Sequence, residues 1–375
     1  MRKLLIASDS FLPRWDGIAR FLSEIIPSLS SEYNITVLVP KFKGTLPEYK
    51  NVNIIRFPLL KIIKLGDTYP CIPSIRKIKE SVKEADIVWT HTLGTIGLAA
   101  IHYANKYNKP VIAYVHSLEG ELIKKAIKNI FKKNLFYFLY RTLGVSSYNK
   151  CSLLMIPSKE VGKRLNEAKI KTKKLVLHLG VNTNKFIPSD DKASSKLKIG
   201  IKAHTKVIGF CGRIGREKDL MTLYKAFSRL KRSYQNLILL VVGEGIEEQK
   251  KVLRRDKSVK LIGAVNNVVP YLQAMDIYVL PSLTETSSLS TMEAMSCSVP
   301  VITTKIGYPK KYIREKVNGL FFPIKNDYVL SIKLDSLLKD DNVRKDMGRE
   351  ARNMIKGRFS LDKTIKEIKR VLMEF

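Results

Sequence analysis

Short apolar runs alternate with longer amphipathic stretches along the whole chain. In the first half, Lys3–Ala7, Ile35–Val39, Asn53–Phe57, Ile87–Trp89, Val111–Val115 and Leu153–Ile156 read as strands. In the second half, Val207–Cys211, Leu237–Val242, Val259–Ile262, Ile277–Leu280, Val301–Ile302 and Gly319–Phe322 do the same. Unbroken Val, Ile and Leu in pieces this short suit strands covered on both faces, and the helical spacing between them predicts crossover helices. Such alternation builds parallel sheets, so the predicted fold class is α/β, with two Rossmann-like doubly wound domains. A polar stretch, Pro188–Lys196, lies between the two sets. The pattern places a first domain over 1–181, a linker over 182–204 and a second domain over 205–357. In the remainder, 358–375, Ile365, Ile368, Val371 and Leu372 fall at helical spacing, which predicts a helix packing back on the first domain.

A length of 375 residues fits two domains, and 45% hydrophobic with 27% charged residues fits a globular protein. Charge changes the picture more. Lys+Arg 67 against Asp+Glu 34 leaves +33, a field that attracts nucleic acid, anionic lipid or phosphate-bearing small molecules. Part of it is a compositional bias toward lysine, and part is locally organised. The cysteines Cys71, Cys151, Cys211 and Cys297 lie far apart, which argues against a disulfide framework or a zinc site and for a reducing, cytoplasmic setting. The apolar start, Leu4–Ala7, is too short for a signal peptide, and no run reaches the length of a membrane span.

The candidate chemistry lies in the second half. Strand Val207–Cys211 runs into Gly212-Arg213, and Glu217-Lys218 precedes the next helix. Open α/β sheets bind ligands outside the carboxyl ends of their strands, so Arg213 and Lys218 are placed to meet phosphate. Strand Ile277–Leu280 leads to Glu285 in a loop and Glu293 in the opening turns of the following helix. Ser287, Ser288 and Ser290 suit a helix start, whose free N–H groups and partial positive charge favour a diphosphate. Glu293 would then take ribose hydroxyls and Glu285 would face a sugar. Either glutamate alone reads as a helix-dipole or solvated charge; the basic pair one unit away favours the ligand.

These residues carry a resemblance. Phe210–Arg213, Glu217-Lys218, Pro281-Ser282 through Glu285, Glu293–Met295 and Pro300-Val301 resemble family 4 retaining glycosyltransferases of the GT-B fold. His178–Asn182 through Phe186 resembles that family's interdomain signature, and Pro13 through Asp16–Arg20 its N-terminal glycine loop. Thr284-Glu285-Thr286 is similar to the branch holding glycolipid synthases. The resemblance implies a nucleoside diphosphate sugar donor, linked to UDP or GDP, with the hexose passed to a hydroxyl acceptor. It implies donor contacts from Gly17, Arg213, Lys218, Val265, Ser288, Leu289, Ser290 and Glu293, with His116, Arg213, Lys218 and Glu285 serving catalysis. Domain closure would exclude water, and Arg213, Lys218 and helix N–H groups would stabilise the departing diphosphate. A glycine at position 17 has a physical reason, a positive φ that lets backbone approach the diphosphate. The sequence departs from the family at Thr286-Ser287-Ser288, where glycines are usual, and at Gly307–Lys310, which lacks the usual acid and leaves the donor sugar open. No Asp-x-Asp occurs, so no metal and no cofactor beyond the donor is expected.

The stretch Leu122–Leu139 combines Leu122, Ile123, Ala126, Ile127, Ile130, Phe131, Leu135, Phe138 and Leu139 at helical spacing with lysines on the other face. A basic amphipathic helix with aromatics predicts contact with an anionic membrane through Lys124, Lys125, Lys128, Phe131, Lys132 and Lys133, making the protein a peripheral one. A core-facing helix with solvated lysines is the alternative. For the whole chain, the rival to a lipid or lipid-linked acceptor is a soluble transferase acting on a sugar or protein. A nucleic-acid-binding protein would explain the charge but lacks a helix-turn-helix or RNP-like signature, and a nicotinamide oxidoreductase lacks G-x-G-x-x-G after the first strand.

Overall fold

The computed structural model describes residues 1–14, 16–62, 69–126 and 129–375, without the side chains of 122, 125 and 126. It divides into two units: Met1–His178 with Ile365–Phe375, and Leu179–Thr364.

The first unit holds β1 (Arg2–Ala7), β2 (Tyr33–Pro40), β3 (Val52–Phe57), β4 (Ile87–Thr90), β5 (Val111–Tyr114), β6 (Leu153–Ile156) and β7 (Lys174–Val176). Their order in the sheet is β3-β2-β1-β4-β5-β6-β7, every pair parallel. The second unit holds β8 (Lys206–Cys211), β9 (Leu237–Val242), β10 (Val259–Gly263), β11 (Ile277–Leu280), β12 (Val301–Thr304) and β13 (Leu320–Phe322), in the order β10-β9-β8-β11-β12-β13, also parallel. Each sheet is thus doubly wound, with a switch in strand order between β1 and β4 and between β8 and β11. The central strands β4, β5, β6, β11 and β12 are buried at every position, as their continuous apolar sequences require. β7 was absent from the expected strands; it lies at the sheet edge, half-buried, and its short Lys174-Leu175-Val176 sequence gives a weak signal.

The stretch 182–204, expected as a linker, folds into the second unit. Phe186 is buried there, and the helix Lys192–Lys198 is tied to the sheet by the buried Lys196, whose Nζ lies 2.8 Å from Asp276. Asp276 also accepts from the Val207 N–H at 2.7 Å, at the start of β8. A charge can be buried when it is paired and hydrogen-bonded, so polar composition did not mean solvent here. The helix Leu361–Met373 contributes its last turns to the first unit, with Ile368, Val371 and Leu372 buried and Lys369 2.6 Å from Glu32.

Candidate active site

In the second unit the loops leaving β8 and β11 emerge on either side of the switch in strand order, and they meet. Lys218 Nζ pairs with Glu285, and Arg213 pairs with Glu217. Glu285 Oε1 also accepts from the Ser282 hydroxyl at 2.8 Å, and the Leu283 N–H donates to the Glu217 carbonyl at 2.7 Å. Glu217 is 3% exposed, and Gly215 makes room for it: a Cβ there would stand 2.4 Å from its carboxylate oxygens. Glu217 is assigned no role by the motif alone. It orients Arg213, and its only local signal is the glycine two residues earlier.

The β11 loop is also held from behind. The Thr304 hydroxyl donates to the Ser282 carbonyl at 2.6 Å, the Tyr308 N–H to the Thr286 carbonyl at 3.0 Å and the Tyr312 hydroxyl to the Ser287 carbonyl at 3.1 Å. The loop ends at Ser288, in the left-handed region with φ of +57°, where the helix Leu289–Ser296 begins. Ser288 gives that helix no side-chain cap; its hydroxyl bonds Thr291 Oγ1 at 2.8 Å instead. The first N–H groups of the helix are therefore not taken by the residue that usually takes them, which leaves the terminus suited to an anion. Ser290 Oγ accepts from the Tyr278 hydroxyl at 2.9 Å, while Leu289 packs on the core. Glu293 lies in the second helical turn and is 1% exposed. Val265 is half-buried in the loop after β10, two strands away from β8 in the sheet.

The first unit treats its own switch point differently. The Asp9 carboxylate, just after β1, accepts from Ile96 N at 2.9 Å, Gly97 N at 3.2 Å and the Thr92 hydroxyl at 2.6 Å. A carboxylate already fills the start of the helix Thr95–Lys106, so the place where a phosphate would sit is taken by negative charge. The second unit, with cations at its switch point, is the one suited to a diphosphate. A depression of about 460 Å³ lined by Lys3, Asn34, Asn53 and Glu84 opens at the amino ends of β1–β3, the end of a parallel sheet that does not usually bind ligands.

Gly17 requires a correction. It is the first residue of the helix Gly17–Leu29, has no positive φ, and a Cβ there would touch nothing within 4 Å among the described residues. The turn is instead organised by Asp16, whose Oδ1 caps the helix by accepting from Ile18 N and Ala19 N, each at 3.0 Å. His116 follows β5, and its Nε2 lies 2.9 Å from Nδ1 of His91, which follows β4. Burial holds the His116 imidazole down at about 3, and burial followed by the neighbouring ring holds His91 well below its usual value. Both rings are neutral at physiological pH. Burial pushes the nearby Glu119 carboxyl up to about 7.

A pH dependence follows. Between about pH 5 and 6.5 the unfolded chain protonates both histidines while the folded chain does not, which lowers stability as pH falls. Glu119 works the other way, since its folded form keeps a proton that the unfolded chain releases. Two histidines against one glutamate leave a net uptake of about one proton on unfolding. The melting temperature should drop from pH 6.5 to pH 5, and His116→Asn should flatten that slope; an unchanged slope in scanning calorimetry would contradict the assignment.

The expected single helix over 122–139 is two helices, Glu119–Ala126 and Ile130–Leu139. Asn129 caps the second, its Oδ1 accepting from Lys132 N at 3.0 Å, and asparagine favours that role over a helix interior. Lys125 and Lys128 lie outside the described side chains. No residue of Ile130–Leu139 is buried; Phe131 is 82% exposed, Leu135 56% and Phe138 63%. The alternative of a core-facing apolar stripe is thereby excluded for this helix. Lys132 is exposed, Lys133 half-buried, and Lys124 Nζ sits 4.4 Å from the centre of the Tyr137 ring. Among the described residues no helix is long and apolar enough to cross a membrane.

Residues 15–185 match Glycosyltransferase Family 4, and residues 191–354 match Glycosyl transferases group 1. The chain is 27% identical to the UDP-Gal:alpha-D-GlcNAc-diphosphoundecaprenol alpha-1,3-galactosyltransferase of Escherichia coli, over 98% of its own length and 96% of that protein. It is 24% identical to the alpha-monoglucosyldiacylglycerol synthase of Streptococcus pneumoniae, over 88% and 77% respectively. Its fold matches the crystal structure of Anabaena HepE in complex with UDP-glucose over the whole of both chains, with a TM-score of 0.80 at 17% identity. With two doubly wound units and family matches that together run from residue 15 to residue 354, the chain belongs to the family 4 glycosyltransferases and is a transferase of the GT-B fold.

Proposed function

We propose that this enzyme moves a hexose, with retention of anomeric configuration, from a UDP- or GDP-linked donor to a hydroxyl of a lipid or lipid-linked glycan, working on a membrane surface without a divalent metal. The observation that carries the donor reading is the meeting of the β8 and β11 loops, which gathers Arg213, Glu217, Lys218 and Glu285 beside a helix start without a side-chain cap. Departure of a diphosphate from the anomeric carbon leaves positive character on the sugar and negative charge on the leaving group. Arg213 offers a planar fork and Lys218 a point charge to that group, and a cation aimed where charge develops lowers the barrier. Glu217 and Glu285 hold the two cations in place before the donor arrives, so little reorganisation is needed at the moment of reaction. Glu285, buried beside Lys218, orients sugar hydroxyls, and Glu293 takes the ribose. The donor class is tested by measuring nucleoside diphosphate release from a panel of nucleotide sugars; release from none of them would overturn the proposal.

Two relatives bear names with lipid or lipid-linked substrates, which supports the acceptor reading. The exposed apolar face Phe131, Leu135 and Phe138, flanked by Lys132 and Arg141, fits an anionic surface. Apolar side chains enter the headgroup boundary, and each lysine or arginine near it contributes about 1 kcal/mol. The protein should float with anionic liposomes and less with neutral ones. Replacing Phe131, Leu135 and Phe138 together by Ser should weaken binding at least about ten-fold. Equal flotation of that variant would remove this face from the membrane contact and favour a soluble acceptor.

A further inference from the structure

The carboxyl ends of β4 and β5 are neighbours, and they bring His91 and His116 into direct contact with 2.9 Å between His91 Nδ1 and His116 Nε2. One of these nitrogens must carry the shared proton, and the surroundings decide which. His91 is 2% exposed, and among the described residues its buried Nε2 has no hydrogen-bond partner. Its neighbours are the rings of Trp89, 4.3 Å away between centroids, and Phe21. An indole can only donate, and a phenyl ring offers no conventional acceptor. If His116 donated through Nε2–H, His91 would have to keep its proton on Nε2, a buried donor with nothing to receive it. If His91 donates through Nδ1–H, its Nε2 is a bare lone pair. The neighbouring Trp89 indole N–H is itself buried without a partner among the described residues, so an N–H on His91 Nε2 would add a second donor with no acceptor, whereas a lone pair there would not.

We propose that His91 is a positioning residue that fixes the tautomer of His116, donating from Nδ1 to His116 Nε2 so that His116 carries its own proton on Nδ1. His116 then acts as a hydrogen-bond donor, not as a general base, because its one lone pair is already engaged. Tight packing of His116 against Phe21 and Tyr114, with ring centroids at 5.4 and 4.5 Å, keeps the imidazole from turning over. The catalytic consequence rests on the expectation, carried by the family resemblance, that His116 takes part in sugar transfer.

The two parts are separable by experiment. Long-range proton–nitrogen correlation spectra of the whole protein, without donor, should show His116 protonated on Nδ1 and His91 also on Nδ1. A His116 protonated on Nε2 overturns the proposal whatever the activity. In His91→Phe, which keeps the ring packing, His116 should sample both tautomers. There kcat should fall about ten-fold while the donor KM stays within about two-fold. In His91→Asn, whose amide can donate from nearly the same place, the His116 tautomer and most of kcat should return. Wild-type kcat in a His91→Phe protein whose His116 has lost its fixed tautomer refutes the positioning role. Full activity in His116→Ala, with the wild-type tautomer confirmed, overturns only the participation of His116 in transfer.

Discussion

Lys218→Ala should reduce kcat by about 100- to 1,000-fold, the loss seen when one preorganised charge-stabilising group is removed, while the donor KM changes less. The ammonium sits between the β8 and β11 loops and bonds Glu285, itself fixed by the Ser282 hydroxyl. Its charge matters most when the diphosphate leaves, because the group then bears more negative charge than it does in the bound donor. Removing it also leaves the Glu285 carboxylate, 7% exposed, without that cation, so Lys218→Arg is the better probe of geometry. Arginine keeps the charge but cannot reproduce a point ammonium, and it should recover only part of the rate. Steady-state kinetics on purified protein decide the matter. A Lys218→Ala enzyme with unchanged kcat would show that this cation does not face the leaving group.

Gly307→Ala should destabilise the protein by about 2–4 kcal/mol, the range of backbone strain combined with a steric clash. Gly307 has φ of +56°, and a Cβ built on it would stand 1.9 Å from the Glu285 carbonyl oxygen. That contact is with backbone, so the whole β11 loop must move. The loop is strapped to its neighbour by Thr304, Tyr308 and Tyr312, which limits how it can yield. Whatever relaxation occurs displaces Glu285 from Lys218, and kcat should fall about 100-fold, as expected when a catalytic group is misplaced by about 1 Å. Gly17→Ala is the matching control for stability. Its site is helical and, among the described residues, open, so the melting temperature should hardly change. Chemical denaturation of both variants tests this contrast; a Gly307→Ala protein as stable as the wild type would contradict the close approach.

The sheets were readable because buried parallel strands are written as unbroken apolar runs, and Ile277–Leu280 or Val111–Tyr114 could hardly be anything else. The Arg213, Lys218 and Glu285 cluster was readable for a different reason: each residue follows the carboxyl end of a strand, and the two strands are neighbours at the switch in strand order. What escaped notice depends on contacts between distant segments. Nothing local announces that Tyr312 holds the Ser287 carbonyl or that Asp9 fills the start of the helix Thr95–Lys106. Lys196 looked like part of a solvated linker, because its partner Asp276 lies eighty residues further on. The break at Asn129 was visible in principle, since asparagine prefers helix caps, but apolar spacing continues across it and hid the boundary. Gly17 was assigned a conformational role that its backbone does not use, because a glycine before a helix carries no local sign of the φ it will adopt.

The placement of the last helix has a consequence for how the molecule is made. The first unit contains Met1–His178 but also Ile365–Phe375, with Ile368, Val371 and Leu372 buried and Lys369 anchored to Glu32. A nascent chain therefore cannot complete its first unit until Ile365–Phe375 have been made, which is after the whole of Leu179–Thr364 has left the ribosome. Until then the residues of Met1–His178 must wait with apolar surface uncovered, and a break in the chain near residue 364 would be felt in the sheet built from the first 178 residues.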